Sequence, residues 1–256
     1  MSATARIRFL TLWRREVSRF LKIKKQTIGG PLLETFLYIS VFGAALGSRI
    51  KELHGVEYIV FVIPGLIMMA WATNAFTNNS SSILQQKFQG AIHDQLSSPA
   101  SPRELLLAFS LGGFARGAIV AALTFVIAVI LTPLPVEHVL VLIPSLLLVG
   151  FFFSQLGVLI GVRAEQFDDV AFAQTFILTP LIFLGGVFYS ASLLPQPFET
   201  LTKFNPVYYM ISLVRYGFVG FSEVSIPLAL AALTGATAAL FLFNLRLFSR
   251  GYKLRS

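Results

Sequence analysis

The feature that most constrains this chain is its series of apolar runs, at 32–47, 58–75, 104–131, 139–162, 170–187 and 226–248. At 1.5 Å per helical residue, about 20 such residues cross a ~30 Å hydrocarbon core, and most of the runs approach or exceed that length. A soluble domain of 256 residues has no place to bury so many. With 55% hydrophobic residues and a mean hydropathy of +0.76, the chain lies outside soluble averages. The expected fold is an all-α polytopic membrane protein: six transmembrane helices forming one transmembrane domain over 1–256.

The stretches between the runs differ in kind. In 4–25, Ile7, Leu10, Trp13, Val17, Phe20 and Leu21 recur at helical spacing, while Arg8, Arg15, Arg19 and Lys22 form another face. An uninterrupted apolar core and a small-residue cleavage site are both missing, so this is not a signal peptide. The pattern predicts an amphipathic interface helix with its cations toward lipid phosphates. Gly29-Gly30-Pro31 is expected to end it and start the first span, which carries Glu34 near its inner end. Asn74, Asn78, Asn79 and Ser80 to Ser82 make the lower end of the second span polar. The segment 83–103 has no spanning capacity; within it, 88–96 reads as a short helix stopped by Ser97-Ser98-Pro99.

Charge fixes the expected orientation. Eight Lys or Arg lie in the N-terminal segment through Lys25 and four from Arg246 onward, against none in the turn 132–138. By the positive-inside rule both termini are cytoplasmic, as are 83–103 and 163–169. Arg49 and Lys51 are a mild exception outside. The net charge of +8 is therefore read as topology rather than as nucleic-acid binding.

Catalytic chemistry finds little support. The chain has no Gly-x-x-x-x-Gly-Lys-Ser/Thr loop to cradle phosphates, and no Cys. His54, His93 and His138 are scattered without metal-ligand spacing. Asp168-Asp169 is read as a solvated pair. No cofactor is expected on this chain.

The fifth run breaks at Gly185-Gly186 and gives way, over 188–221, to a segment rich in Pro, Ser, Tyr and Phe that never becomes a clean span. Pro195 and Pro197 cannot sit inside a continuous spanning helix. The expectation is a set of broken, re-entrant extracytoplasmic helices between spans five and six.

Pro180, Leu184-Gly185-Gly186-Val187-Phe188, Leu194-Pro195, Asn205-Pro206 and Arg215 resemble the pattern of ABC-2 type transporter permeases, and the whole-chain layout is similar to bacterial members. These are the membrane subunits of ATP-driven exporters. The resemblance implies a permease in the bacterial inner membrane, acting as a homodimer with two copies of a separate ATPase that holds ATP and Mg. It gives the interface helix a second role, flanking the ATPase dock. It implies an ATPase-coupling helix at Phe88, Gly90, Ala91, Ile92, His93, Asp94, Gln95 and Leu96, and a second contact at Glu165, Phe167 and Asp168. The family exports polysaccharides, drugs and lipids, so an amphipathic substrate (lipid-linked glycan, lipid or drug) is expected.

Pathway candidates are Glu34, Arg116, Phe188, Tyr189, Tyr208, Tyr209 and Arg215. Arg116, inside the third span, has two readings: a structural cation that pairs with Glu34 or snorkels, or a contact for an anionic substrate. The outer aromatics are either interfacial anchors or an aromatic-lined exit. Gly43-x-x-x-Gly47, Gly113-x-x-x-Gly117 and Gly157-x-x-x-Gly161 suit internal helix packing or a dimer seam. An ion-coupled secondary transporter is the competing function, disfavoured because the spans carry few titratable residues beyond Glu34 and Arg116. A membrane-embedded enzyme lacks a catalytic constellation.

Overall fold

The structure, a computed structural model, describes residues 3–45, 47 and 49–253. Leu46 of the expected first span and 254–256 of the expected tail lie outside the described residues. In chain order the helices are α1 (Ala3–Lys22), α2 (Gly30–Ala45), α3 (Tyr58–Phe88), α4 (Ala91–Ser97), α5 (Pro102–Leu131), α6 (Val139–Arg163), α7 (Phe167–Phe172), α8 (Thr179–Leu184), α9 (Phe198–Phe204), α10 (Pro206–Val219) and α11 (Ile226–Arg250). π-turns at Lys25–Gly29 and Ala173–Leu178 lead into α2 and α8. A two-strand hairpin, β1 (Glu52–Leu53) and β2 (Val56–Glu57), precedes α3.

Five helical stretches are long and apolar enough to cross a membrane: Tyr58–Phe88, Pro102–Leu131, Val139–Arg163, Phe167–Leu184 and Ile226–Arg250. α2, at 16 residues, is shorter. α3 is the axis of the fold, almost wholly buried against α5, α6 and α10, while α11 turns most of its apolar residues outward. An apolar outer surface costs nothing against lipid, so the buried–exposed pattern here separates protein contact from hydrocarbon rather than core from water. Gly157 lets α6 close on α3: a Cβ there would lie 2.4 Å from the carbonyl oxygen of Phe76. Gly161 meets α3 the same way, at the Ser80 carbonyl. These glycines serve packing within the chain.

Several sequence expectations change. α3 runs thirteen residues past 75, because its Asn and Ser side chains find partners inside the protein and need no water. Gly29-Gly30-Pro31 does not end α1: the chain stays helical through the π-turn, with Gly30 itself right-handed (φ −57°) and Pro31 in the first turn of α2, where its missing N–H is harmless. α1 departs from its expected facing in part. Arg15 and Arg19 reach polar partners within the protein rather than only lipid phosphates, although the Arg15 side chain stays 42% exposed. Of the apolar face, Phe20 is buried and Ile7 and Leu21 are exposed. The reason is a buried acid, Glu16, which draws the cations inward.

Between α8 and α11 the chain is broken as its composition suggests. Gly186 takes φ +85°, open to glycine at little strain. A 3-10 turn at Ala191–Leu193 and then α9 and α10 follow. Asn205 caps α10, accepting from the Val207 N–H at 2.9 Å.

Candidate functional site

At the end of α3 that carries Lys87, two segments distant in sequence meet. Gly90, at φ +70°, turns the chain sharply and starts α4. A Ser101–Glu104 capping box begins α5 eleven residues on: the Glu104 N–H donates to Ser101 Oγ at 3.3 Å and the Ser101 N–H to Glu104 Oε2 at 2.7 Å. The 163–169 loop packs alongside. The Phe88 and Phe167 rings stack with centroids 5.2 Å apart and 9° between planes, yet they are 60% and 56% exposed. Two large aromatics left this open form an apolar platform. Beside it lies an open cleft of about 430 Å³ lined by Phe88, Ile92, His93, Lys87, Glu165 and Lys253. Lys87 Nζ donates to the carbonyls of Val162 (3.1 Å) and Ala164 (2.6 Å), fixing the loop against α3. Lys253 Nζ reaches Glu165 Oε1 at 2.5 Å; the contact holds Glu165 below the usual carboxylate range and Lys253 above the usual ammonium range.

The expected coupling residues divide into two groups here. Phe88, His93 and Asp94 are exposed, with Gly90, Ala91 and Leu96 half-buried. Ile92 is 2% exposed and packs with Ile83, Leu105 and Leu106, so it holds α4 down rather than presenting itself. Gln95 is likewise turned in. In the second segment, Glu165, Phe167 and Asp168 are all exposed.

Beneath α4 lies a network that sequence reasoning missed. Glu16, 1% exposed, accepts from Ser82 Oγ (2.5 Å) and Gln86 Nε2 (2.9 Å) and pairs with Arg15 (3.1 Å). Arg15 Nη2 also donates to Gln86 Oε1 and Gln95 Oε1, each at 2.8 Å, and Gln95 Nε2 donates to Gln86 Oε1 at 2.5 Å. Arg19 donates to the Asn78 carbonyl at 2.8 Å and its Oδ1 at 2.9 Å. α4 is thus wired to α1 and α3 by charge-assisted bonds, their amide ends buried and Arg15 still partly open. The signal was present: Asn78, Ser82 and Gln86 recur every four residues, one helix face opposite Arg15, Glu16 and Arg19.

A second ladder crosses the bundle. Asn79 Nδ2 donates to Ser154 Oγ (2.7 Å), Ser154 Oγ to the Ser110 carbonyl (2.5 Å), Gln155 Nε2 to Ser110 Oγ (2.7 Å) and Asn244 Nδ2 to Gln155 Oε1 (2.9 Å). It links α3, α5, α6 and α11.

The pathway candidates do not converge. Arg116, 8% exposed, donates to the Thr27 carbonyl at 3.3 Å and Asn74 Oδ1 at 3.1 Å. It makes no ion pair with Glu34 among the described residues, because Asn74 and the π-turn carbonyl already satisfy it. Glu34 stays exposed on α2. Arg215 is buried at the other end of the fold, donating to the carbonyls of Phe61 and Gly186. Tyr208 is buried, while Phe188, Tyr189 and Tyr209 are half-buried. The last two donate to backbone, at Phe183 and Lys203. Phe188 stacks on Phe42 with 4.5 Å between centroids.

The chain is similar to the inner membrane transport permease YadH of Escherichia coli (strain K12), 40% identical over 246 residues that cover 96% of each chain. It is also similar to nodulation protein J of Rhizobium meliloti (strain 1021), 26% identical over 255 residues covering 94% of this chain and 93% of the relative. Nodulation protein J of Rhizobium leguminosarum bv. viciae is 27% identical over 250 residues, 95% of each chain. The sequence profile of the ABC-2 type transporter family matches residues 7–219, which takes in most of α1, the Phe88–Phe167 platform and the broken segment through α10. The chain belongs to the ABC-2 type transporter family.

Proposed function

We propose that the chain is the permease subunit of an ATP-driven exporter in a bacterial inner membrane, forming the substrate pathway as a homodimer driven by two separate ATPase subunits. The observation that carries this is the platform of Phe88 and Phe167 beside its cleft, mounted on a helix wired into the bundle. A partner pressing on α4 moves Gln95, and through it Gln86 of α3 and Arg15 of α1, as one body. ATP and Mg belong to the partner. α2, extended inward by the Lys25–Gly29 π-turn, supplies the sixth crossing, with both termini cytoplasmic. The transport-permease names of the relatives support the reading, and the exported molecule is an amphiphile: a lipid-linked glycan, a lipid or a drug.

The test is to co-express the chain with the ABC ATPases of its source genome, purify whichever ATPase it retains, and reconstitute both in vesicles. The chain alone is expected neither to bind nor to hydrolyse ATP, and the complex to move a labelled amphiphile only with ATP. Transport by the chain alone, driven by an ion gradient, would overturn the proposal in favour of a secondary transporter.

A further inference from the structure

α2, α3 and the π-turn before α8 enclose a small polar crevice of about 160 Å³, its walls including Glu34, Thr35, Thr73, Asn74, Gln174 and Thr179. Thr73 lies about 22 Å along α3 from Tyr58, near the middle of the helix. Polar side chains at that depth are expensive against hydrocarbon and mark ligand pathways. π-turns, too, concentrate at functional sites.

The hydrogen-bond directions tell what the crevice wants. Thr35 Oγ1 donates to the Pro31 carbonyl (3.0 Å), Thr73 Oγ1 to Met69 (2.8 Å) and Thr179 Oγ1 to Gln174 (3.0 Å). Each threonine hydroxyl proton is thus committed to backbone, and the lone pairs remain. Asn74 Nδ2 is committed as well, to the Ala70 carbonyl at 2.9 Å. Arg116, the cation behind the wall, is held by Thr27 and Asn74 and does not reach Glu34. Tyr38, which hydrogen-bonds Glu34, and the Gln174 amide add donors to the lining, but its one charged group is the Glu34 carboxylate, without a paired cation among the described residues. Such a lining repels anions and suits a cationic donor.

We propose that this crevice is a head-group site for an ammonium-bearing amphiphile, with Glu34 as counter-ion and the threonine oxygens as acceptors. Its volume takes a head group, leaving the apolar tail in lipid. The proposal rests on the permease reading but is tested without it.

Native mass spectrometry of the full chain counts bound dodecylammonium, with dodecanol and dodecanoate as the uncharged and anionic counterparts. One saturable dodecylammonium per chain is expected, weakened about tenfold or more by Glu34→Gln and largely kept by Glu34→Asp. Thermal melting of each variant checks that it folds, and Thr73→Val is a second, charge-neutral variant expected to weaken binding. No binding to the native chain, equal binding by Glu34→Gln, or preference for dodecanoate would overturn the site. None of these needs an ATPase, so failure here leaves the permease reading standing, and failure of ATPase association leaves this result intact.

Discussion

Arg215 lies over the ring of Phe61, its guanidinium carbon 3.8 Å from the centroid, while the same group donates to the Phe61 carbonyl at 3.2 Å and the Gly186 carbonyl at 2.7 Å. One side chain thereby joins α10 to α3 and to the glycine break after α8. The broken segment is fastened at its most irregular point, where freed carbonyls would otherwise lie in a place without water.

Replacing Arg215 strips those carbonyls of a charged donor, and such bonds are worth about 1.5–3 kcal/mol each. Arg215→Met is expected to lower the melting temperature of the purified chain by several degrees. Arg215→Lys should rescue little, since an ammonium lacks the planar face and the fork that serve ring and carbonyls together. A full rescue by lysine would show that charge alone matters.

Glu16→Ala leaves Ser82 and Gln86 without their acceptor and Arg15 and Arg19 without their counter-charge. The cost should fall below about 3–5 kcal/mol, that of breaking a fully buried pair, because the Arg15 and Arg19 side chains left behind are 42% and 23% exposed. α1 should loosen first, seen as protease cleavage within 3–22 at concentrations that spare the native chain.

Phe88→Ala and Phe167→Ala remove exposed rings, so folding should be nearly unchanged while co-purification of the ATPase falls. Ile92→Glu should instead impair folding, since it buries a charge among Ile83, Leu105 and Leu106. Undiminished ATPase binding by both alanine variants would show that the platform is not the dock.

Glu165 and Lys253 define a pH window. The depressed Glu165 contributes to the pairing above its unfolded value of about 4.3 and loses it as pH falls through the lower folded value. The raised Lys253 contributes below about 10.4 and loses it as pH rises through the higher folded value. The tail should stay clasped to the loop across that whole interval, with no titration near neutrality. In Lys253→Met, the Glu165 carboxyl resonance should titrate at a higher pH, back toward the ordinary range. The pair is exposed, so melting should hardly change.

The chain lacks Cys, so single cysteines report sidedness directly. Ser192→Cys and Asp94→Cys, both at exposed positions, should react with an impermeant thiol reagent from opposite faces of the membrane. Labelling from the same side would overturn the topology.

The long apolar runs, a short helix stopped at Ser97-Ser98-Pro99 and the irregularity after Gly185 were legible because each rests on local chemistry: hydropathy, serine, proline and glycine. The left-handed break at Gly90 that separates Phe88 from α4 was not. What also escaped was pairing between distant polar residues. Periodicity showed that α1 is two-faced, but not which face turns inward. That depended on Glu16, one acid among cations, finding Ser82 and Gln86 on a helix that itself read as ending at 75. Arg116 was visible as a buried cation; that a carbonyl and an amide would satisfy it, rather than Glu34, required knowing where the π-turn places Thr27.

The inward face of α1 also bears on how the protein is made. α1 leaves the ribosome before its partners Ser82, Gln86 and Gln95, which are synthesised only some sixty to eighty residues later. Until then Glu16 and its arginines have nothing to clasp, and the helix must wait at the bilayer surface. α1 is therefore made before the α3 face it clasps and docks only after it, and a truncation ending before Ser82 would strand it at the surface.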